Sequence, residues 1–292
     1  MPVLSWFGDR FLDRKVSFKT PEPSVWVLKE LIAEGEYIDA EFEEDSDVEE
    51  SEEWEEDGSP EFNSVAKAVY VCARVDGDVI TEEEAIIKVH MQYVSILASS
   101  VSTLLPGLTP YDDTLEYTEL IREHVFRVPH YETESQRPSE RAKQATEVPH
   151  PVTESELYAL QHLTRAECSS TPTLRSWKQT KQGKRGWVPG GYVVYLLMNK
   201  LPGIQIDQIE ELSLKERNEL RAAFKKAWIE CRDCGFVSLD TTFKNLLWDR
   251  ESQKCYIVDF EIWDPGDYSP WKDGIYDLWC LTVFCGNGVH RP

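Results

Sequence analysis

Three oxygen-bearing side chains stand out by type and spacing. Asp240 and Asn245 are separated by Thr-Thr-Phe-Lys, and Asp259 directly follows the apolar run 255–258. Asn245 and Asp259 offer the hard oxygen donors that a divalent cation such as Mg²⁺ selects, and such a cation can bridge phosphates. Asp240 is then free to orient a hydroxyl nucleophile and accept its proton. Taken singly, each residue has a plainer role: Asp240 and Asn245 can close local turns, and Asp259 can end a strand. The chemical reading rests on all three arriving in this order, around one hairpin.

Other motifs carry less. Cys231-Arg-Asp-Cys234 has CxxC spacing, but no second pair or His cluster has metal-site spacing, so a structural role at a helix end is expected. Gly190-Gly191 lacks the G-K-[ST] ending of a phosphate loop and reads as a turn. The six His are scattered, and none sits beside an evident Ser or Cys nucleophile.

The elements that must position the three oxygens follow from periodicity. Leu246-Leu247-Trp248 and the run 255–258 flank the polar turn 249–254, a short hairpin. Ahead of it, Ser213 and Glu216 form a capping box for a helix reaching Cys234. Leu220, Phe224, Ala227, Trp228 and Cys231 line its buried face, and Gly235 lies just past its end. Strands are expected at 174–178 and 192–198, bracketing a basic, solvated loop. A helix is expected after Pro151, capped by Thr153 with Glu156 at the box position and Leu157, Leu160 and Leu163 as its stripe. Strands over 65–74 and 78–92 meet at the turn Asp76-Gly77. An amphipathic helix is expected over 24–32, from Trp26, Leu28, Leu31 and Ile32.

With these elements in place, the chain resembles the protein-kinase-like fold. Asp240 to Asn245 matches the D-x-x-x-x-N half of a kinase catalytic loop, and Asp259-Phe260-Glu261 stands where D-F-G is expected. Ile86-Ile87-Lys88 resembles the V-A-I-K strand. Trp187-Val-Pro-Gly-Gly-Tyr192, Leu197-Met-Asn-Lys-Leu-Pro-Gly203, Arg221-Ala-Ala-Phe-Lys-Lys-Ala227 and Lys254-Cys-Tyr-Ile-Val-Asp-Phe-Glu261 are similar to a divergent fungal family of kinase-like proteins, over roughly residues 64–263. The resemblance implies a bilobal α+β fold with a reduced C-terminal helical lobe. It implies ATP and Mg²⁺ as cofactors, with Lys88 on the nucleotide phosphates, Glu156 as its helical partner and a hinge at Met198-Asn199-Lys200. Asn245 and Asp259 would hold the metal, and Asp240 would be the catalytic base. The expected organisation is an N-terminal extension (1–60), an N-lobe (61–200) with an insertion near 97–150, and a C-lobe (201–292).

The departures are equally specific. Ser238-Leu239 replaces His-Arg before the catalytic Asp, and Glu261 replaces the Gly of D-F-G; aminoglycoside-type phosphotransferases also lack that Arg and tolerate Glu at that place. No G-x-G-x-x-G precedes Lys88, and only 33 residues follow Asp259, few for a platform that binds protein substrates. Two functions remain open: an ATP-dependent phosphotransferase on a hydroxyl, with a small molecule favoured over a protein, or a pseudokinase that binds or scaffolds without turnover.

Composition bounds the classes. The chain has 292 residues, 41% of them apolar, with ten Trp, enough for a real core. The net charge of −22 argues against a duplex nucleic-acid binder. No run is apolar enough for a membrane span, Asp9 and Arg10 precede any long apolar stretch so that a secretory signal is not expected, and seven irregularly spaced Cys suit reduced thiols, so an intracellular protein, cytoplasmic or nuclear, is expected. Residues 41–57 hold 12 acids and no base, a run expected to be a solvated linker, with a protein partner as the alternative. Deleting 41–57 should therefore move the melting temperature very little in a thermal scan; a drop of many degrees would show that the run packs on the fold.

Overall fold

The computed structural model describes residues 7, 10–37, 64–93, 138–206, 209, 212–265 and 270–282. The acidic run 41–57 and most of the insertion near 97–150 lie outside the described residues. Strands are β1 (Lys15–Phe18), β2 (Ser24–Tyr37), β3 (Ser64–Asp76), β4 (Val79–Tyr93), β5 (Leu174–Lys181), β6 (Tyr192–Asn199), β7 (Ile204–Gln205), β8 (Val237–Ser238), β9 (Leu246–Asp249), β10 (Lys254–Ile257) and β11 (Trp263–Asp264). Helices are α1 (Pro138–Lys143), α2 (Pro151–Arg165), α3 (Leu214–Asp233) and α4 (Ile275–Leu278), with a 3₁₀ turn at Phe243–Asn245. The class is α+β, strand-rich towards the N-terminus.

A six-stranded antiparallel sheet in the order β1-β2-β3-β4-β6-β5 dominates the first two thirds of the chain. Its β3–β4 hairpin turns at Gly77, whose φ of +59° needs a residue without Cβ strain. Alternation then divides the side chains. Ala66, Ala68, Tyr70, Cys72, Ile87, Val89 and Met91 face a core that also holds Phe7, Phe11, Trp26 and Leu28. The opposite face presents Lys88 and His90 beside Leu196 and Val194 of β6, under Leu160 of α2.

Two expectations are corrected here. Residues 24–32 are strand, not helix. Trp26 and Leu28 go to one face and Val25 and Val27 to the other, where they meet Ala73 and Val75. Pairing with β3 along the whole strand, helped by β-branched Val25 and Val27, overrides an ambiguous apolar spacing. For the same reason the sheet does not begin after residue 60: β1 and β2 belong to it, so residues 15–37 are not an extension outside it.

Helix α2 starts at Pro151 with His150 as its cap. The His150 ring accepts the Val152 N–H at 3.2 Å, so Thr153 is not the capping residue. Helix α3 follows the expected pattern. Ser213 Oγ accepts the Glu216 N–H at 3.2 Å, while the Glu216 carboxylate turns instead to Trp248 Nε1 and Arg250. Its face of Leu220, Phe224, Ala227, Trp228 and Cys231 packs on the β9–β10 hairpin through Leu246, Trp248, Cys255 and Ile257. Ala159 and Leu163 join this second cluster, so α2 touches both it and the sheet.

Gly203 shows how closely the hairpin is approached. At φ +104° a Cβ would lie 2.8 Å from the Trp248 carbonyl, whereas at Gly235, φ +89°, the space is open. Gly203→Ala should cost about 2–3 kcal/mol in urea unfolding, from backbone strain plus a backbone clash, and Gly235→Ala only about 1 kcal/mol.

Candidate functional site

Six charged or ionisable side chains from four segments meet at the helix-facing side of β3 and β4. Lys88 is the centre. It is 5% exposed, and an ammonium taken so far from water needs carboxylate partners. It has three: Glu156 of α2 at 2.9 Å, Asp259 after β10 at 3.1 Å and Glu261 at 2.8 Å. Lys67 of β3 pairs with the other oxygen of Glu261 at 2.5 Å. The β-register explains the grouping. Lys88 lies opposite Val69 and His90 opposite Lys67, so Lys67, Lys88 and His90 share one face.

His90 is fully buried and locks the helix from behind. Its Nε2 lies 2.9 Å from Glu156 Oε2, and its Nδ1 contacts Thr153 Oγ1 at 3.0 Å. Strand positions 88 and 90 thus engage helix positions 153 and 156, two residues one turn apart. Thr153 serves this contact instead of the cap.

The electrostatics follow from burial and sign. Burial opposes the Lys88 ammonium, and the charges of Asp259, Glu156 and Glu261 outweigh it and hold its pKa well above the ordinary value. Glu156 and Glu261 are also penalised by burial, yet Lys88, with His90 beside it, holds both carboxyls below the ordinary 4.5; Glu261, which Lys67 also touches, falls to about 2. Asp259 goes the other way. Burial raises its pKa, and the neighbouring Glu156 and Glu261 add to the rise against the pull of Lys88.

Asp259 also has an unusual backbone, with φ +67°, a left-handed conformation that Asp tolerates better than most residues. Three contacts hold it: the Val258 N–H bonds the Asn245 carbonyl at 2.9 Å, the Ser238 hydroxyl reaches the Asp259 carbonyl at 3.4 Å, and β11 pairs with β8 just beyond. Asp240 and Asn245 form the second group. Asn245 Nδ2 donates to Asp240 Oδ2 at 2.9 Å and to its carbonyl at 3.2 Å. Asp240 is solvent-exposed, and Asn245 is buried.

The structure therefore brings Lys88, Glu156 and Asp259 into direct contact and Asp240 with Asn245, the two groups being stitched through the backbone at Asn245–Val258 and Leu239–Ile262. Met198 is buried on the same face of the sheet as Lys88, opposite Ile86, and packs with Leu160 rather than with the charged cluster. Lys67 and His90 are not among the residues that the sequence marks for this site, and Thr153 is marked there only as a helix cap. The available signal is the i, i+2 repeat of basic residues at 88 and 90 within the otherwise apolar stretch 85–91 of the strand.

Two metal arrangements can be tested. A hard cation at Asp259 fits: the site holds three carboxylates against two ammonium groups, Asp259 is the acid whose charge is least compensated, and Asn245 keeps its Oδ1 as an oxygen donor while Nδ2 is engaged. His90, Glu156 and Glu261 also converge, with ligand atoms within 4.8 Å of one another. Lys88 lies against both of those carboxylates, so the cation's place is taken by the chain's own ammonium.

Solved structures similar to this chain include the following two. The Cydia pomonella granulovirus kinase PK-1 is 13% identical, with a TM-score of 0.34, over 67% of this chain and 47% of that one. Vaccinia related kinase 3 is 10% identical, with a TM-score of 0.35, over 86% of this chain and 52% of that one. The chain thus spans about half the length of each, and likeness at these scores adds no weight to the geometry above. No protein family and no curated protein matches. Among the described residues no helix is long and apolar enough to cross a membrane.

The charge balance makes a pH prediction. With Glu261 near 2 when folded and 4.5 ordinarily, its contribution to stability is fully present above pH 4.5 and is lost as pH falls towards 2. Glu156 acts in the same direction, and Asp259 opposes it. In urea unfolding at pH 6, 4 and 3, Glu261→Gln should flatten the acid-side fall of stability; an unchanged slope would show that Glu261 is not ion-paired in solution.

Proposed function

We propose that this chain is a kinase-like protein that binds ATP with Mg²⁺ between its sheet and its helical part and transfers the γ-phosphoryl group to a hydroxyl. The observation that carries the reading is the double engagement of Lys88, with Glu156 at 2.9 Å and Asp259 at 3.1 Å. A strand lysine tied to a helix glutamate, beside an aspartate with a free face, suits an ammonium that hands its charge to phosphates and a carboxylate that holds their metal. Asp259 supports this part: its side chain is 26% exposed, whereas those of Lys88, Glu156 and Glu261 are 7% or less.

In this reading Asn245 and Asp259 hold Mg²⁺, which when bound neutralises phosphate charge. Lys88 positions the phosphates, with Glu156 and His90 fixing it from the helix side. The exposed Asp240, held by Asn245, orients the substrate hydroxyl. That oxygen forms the new bond to phosphorus as the bond to the ADP oxygen breaks, and its proton passes to the Asp240 carboxylate. The missing Arg at position 239 and the Glu at 261, both of which aminoglycoside-type phosphotransferases accommodate, favour a small hydroxyl substrate over a protein. The protein partner considered for the acidic segment, the intracellular setting and the fungal family belong to this reading as proposals also.

A second reading, a pseudokinase, is favoured by one specific feature. In protein kinases a glycine-rich loop lies ahead of the lysine strand and covers the phosphates. Here the connection between β2 and β3 carries the acidic run 41–57 with no base, a charge that opposes a triphosphate.

Calorimetry and ADP release separate the two. Asp259→Ala and EDTA should each weaken ATP binding. Asp240→Ala should keep ATP affinity while ADP release falls by about 10²–10⁴-fold, the usual worth of a general base. Equal ATP binding with EDTA removes the metal role, and the absence of substrate-dependent ADP release in wild type favours the pseudokinase.

A further inference from the structure

Lys88 is the group an incoming phosphate must reach, and three carboxylates already hold it. They are not equivalent. Glu156 is fixed from behind by His90 at 2.9 Å. Asp259 has the exposed face and is the acid a metal would claim. Glu261 differs from both, because its second oxygen rests on another cation, Lys67, at 2.5 Å.

Geometry gives that second contact a purpose. Lys67 and Lys88 lie diagonally on one face of the β3–β4 hairpin, and Glu261 bridges them with one oxygen each. A Glu261 carboxylate that left Lys88 would keep its ion pair with Lys67 and would not become a lone buried charge, the costly outcome for a carboxylate that is 7% exposed. Neither of the other two carboxylates has a lysine of its own apart from Lys88 among the described ion pairs. Glu261 Oε1 lies 2.8 Å from the Lys88 ammonium, and so it competes with any anion for Lys88.

We propose that Glu261 and Lys67 form a clasp that sets how available the Lys88 amine is to an anion. Glu261 on Lys88 is the closed position, and Glu261 on Lys67 alone is the open one. The reading of this site as a nucleotide site supplies only the identity of the anion, a nucleoside triphosphate; the clasp itself is a property of the free chain.

Acetylation by an N-hydroxysuccinimide ester of the full chain, kept at low conversion and read peptide by peptide in a mass spectrometer, tests this. Lys215, with 86% of its side chain exposed, serves as the internal standard. Glu261→Gln should acetylate severalfold faster at Lys88 than wild type, because the closed position is lost. Lys67→Met should be slower than wild type, because Glu261 then has Lys88 as its only lysine. Opposite signs are the signature. A merely structural role would loosen the cluster in both variants and raise both rates, and that result, or a Glu261→Gln rate equal to wild type, overturns the clasp. In a parallel arm, Mg-ATP should protect Lys88 in wild type. Opposite signs without protection would keep the clasp and remove the nucleotide reading, whereas protection with equal signs would do the reverse.

Discussion

A buried ammonium dictates the arrangement around it. Lys88 stands at 5% exposure on a central strand, and no sheet or helix packing can be correct unless carboxylates arrive to meet it. They come from positions 156, 259 and 261, so one ion cluster joins the sheet, helix α2 and the segment after the β9–β10 hairpin. Such a cluster is a poor source of stability, since desolvating six groups offsets much of the attraction. Its consequence is placement: three segments far apart in the chain are held in one geometry, because any other leaves a charge without a partner.

The apolar parts make that placement affordable. The sheet is cored on one face by Trp26, Leu28, Tyr70, Ile87 and the Phe7–Phe11 pair, which frees its other face to carry Lys67, Lys88 and His90. Helix α3 gives the hairpin a separate support, with Phe224 and Trp228 packed on it and Trp271 and Trp279 against them. Helix α2 contributes to both clusters, through Leu160 towards the sheet and through Ala159 and Leu163 towards α3. Glu156 rides on the element that both cores fix.

The hairpin does its part through the backbone. Asn245 closes the turn after Asp240 with its side chain, and its carbonyl takes the Val258 N–H, so the loop carrying the exposed carboxylate and the strand leading to Asp259 cannot shift independently. The left-handed φ of +67° at Asp259 then turns the chain so that Asp259 and Glu261 both face Lys88. Local strain of this kind persists where the surroundings over-determine it, and the β8–β11 pairing on the far side supplies that constraint.

Local signals were enough wherever one element decides its own form. The Ser213 cap, the i, i+4, i+7 face of α3, the Gly235 stop, the Gly77 turn and the hairpin around 249–254 were all legible, because each depends on residues within a turn or two of one another. The spacing of Asp240, Asn245 and Asp259 was legible in the same way. Residues 24–32 were not: their apolar pattern suits a helix and a strand alike, and only the presence of β3 as a hydrogen-bonding neighbour decided for strand. Thr153 was read as a cap because local sequence cannot show that its hydroxyl faces His90 from another element. The partnership of Lys67 with Glu261 spans 194 positions and leaves no trace in either neighbourhood. Sequence set the elements and the chemical groups they carry; which charges meet was decided by the tertiary fold, because a buried charge is satisfied by whatever opposite charge the packing brings within about 3 Å, however distant along the chain.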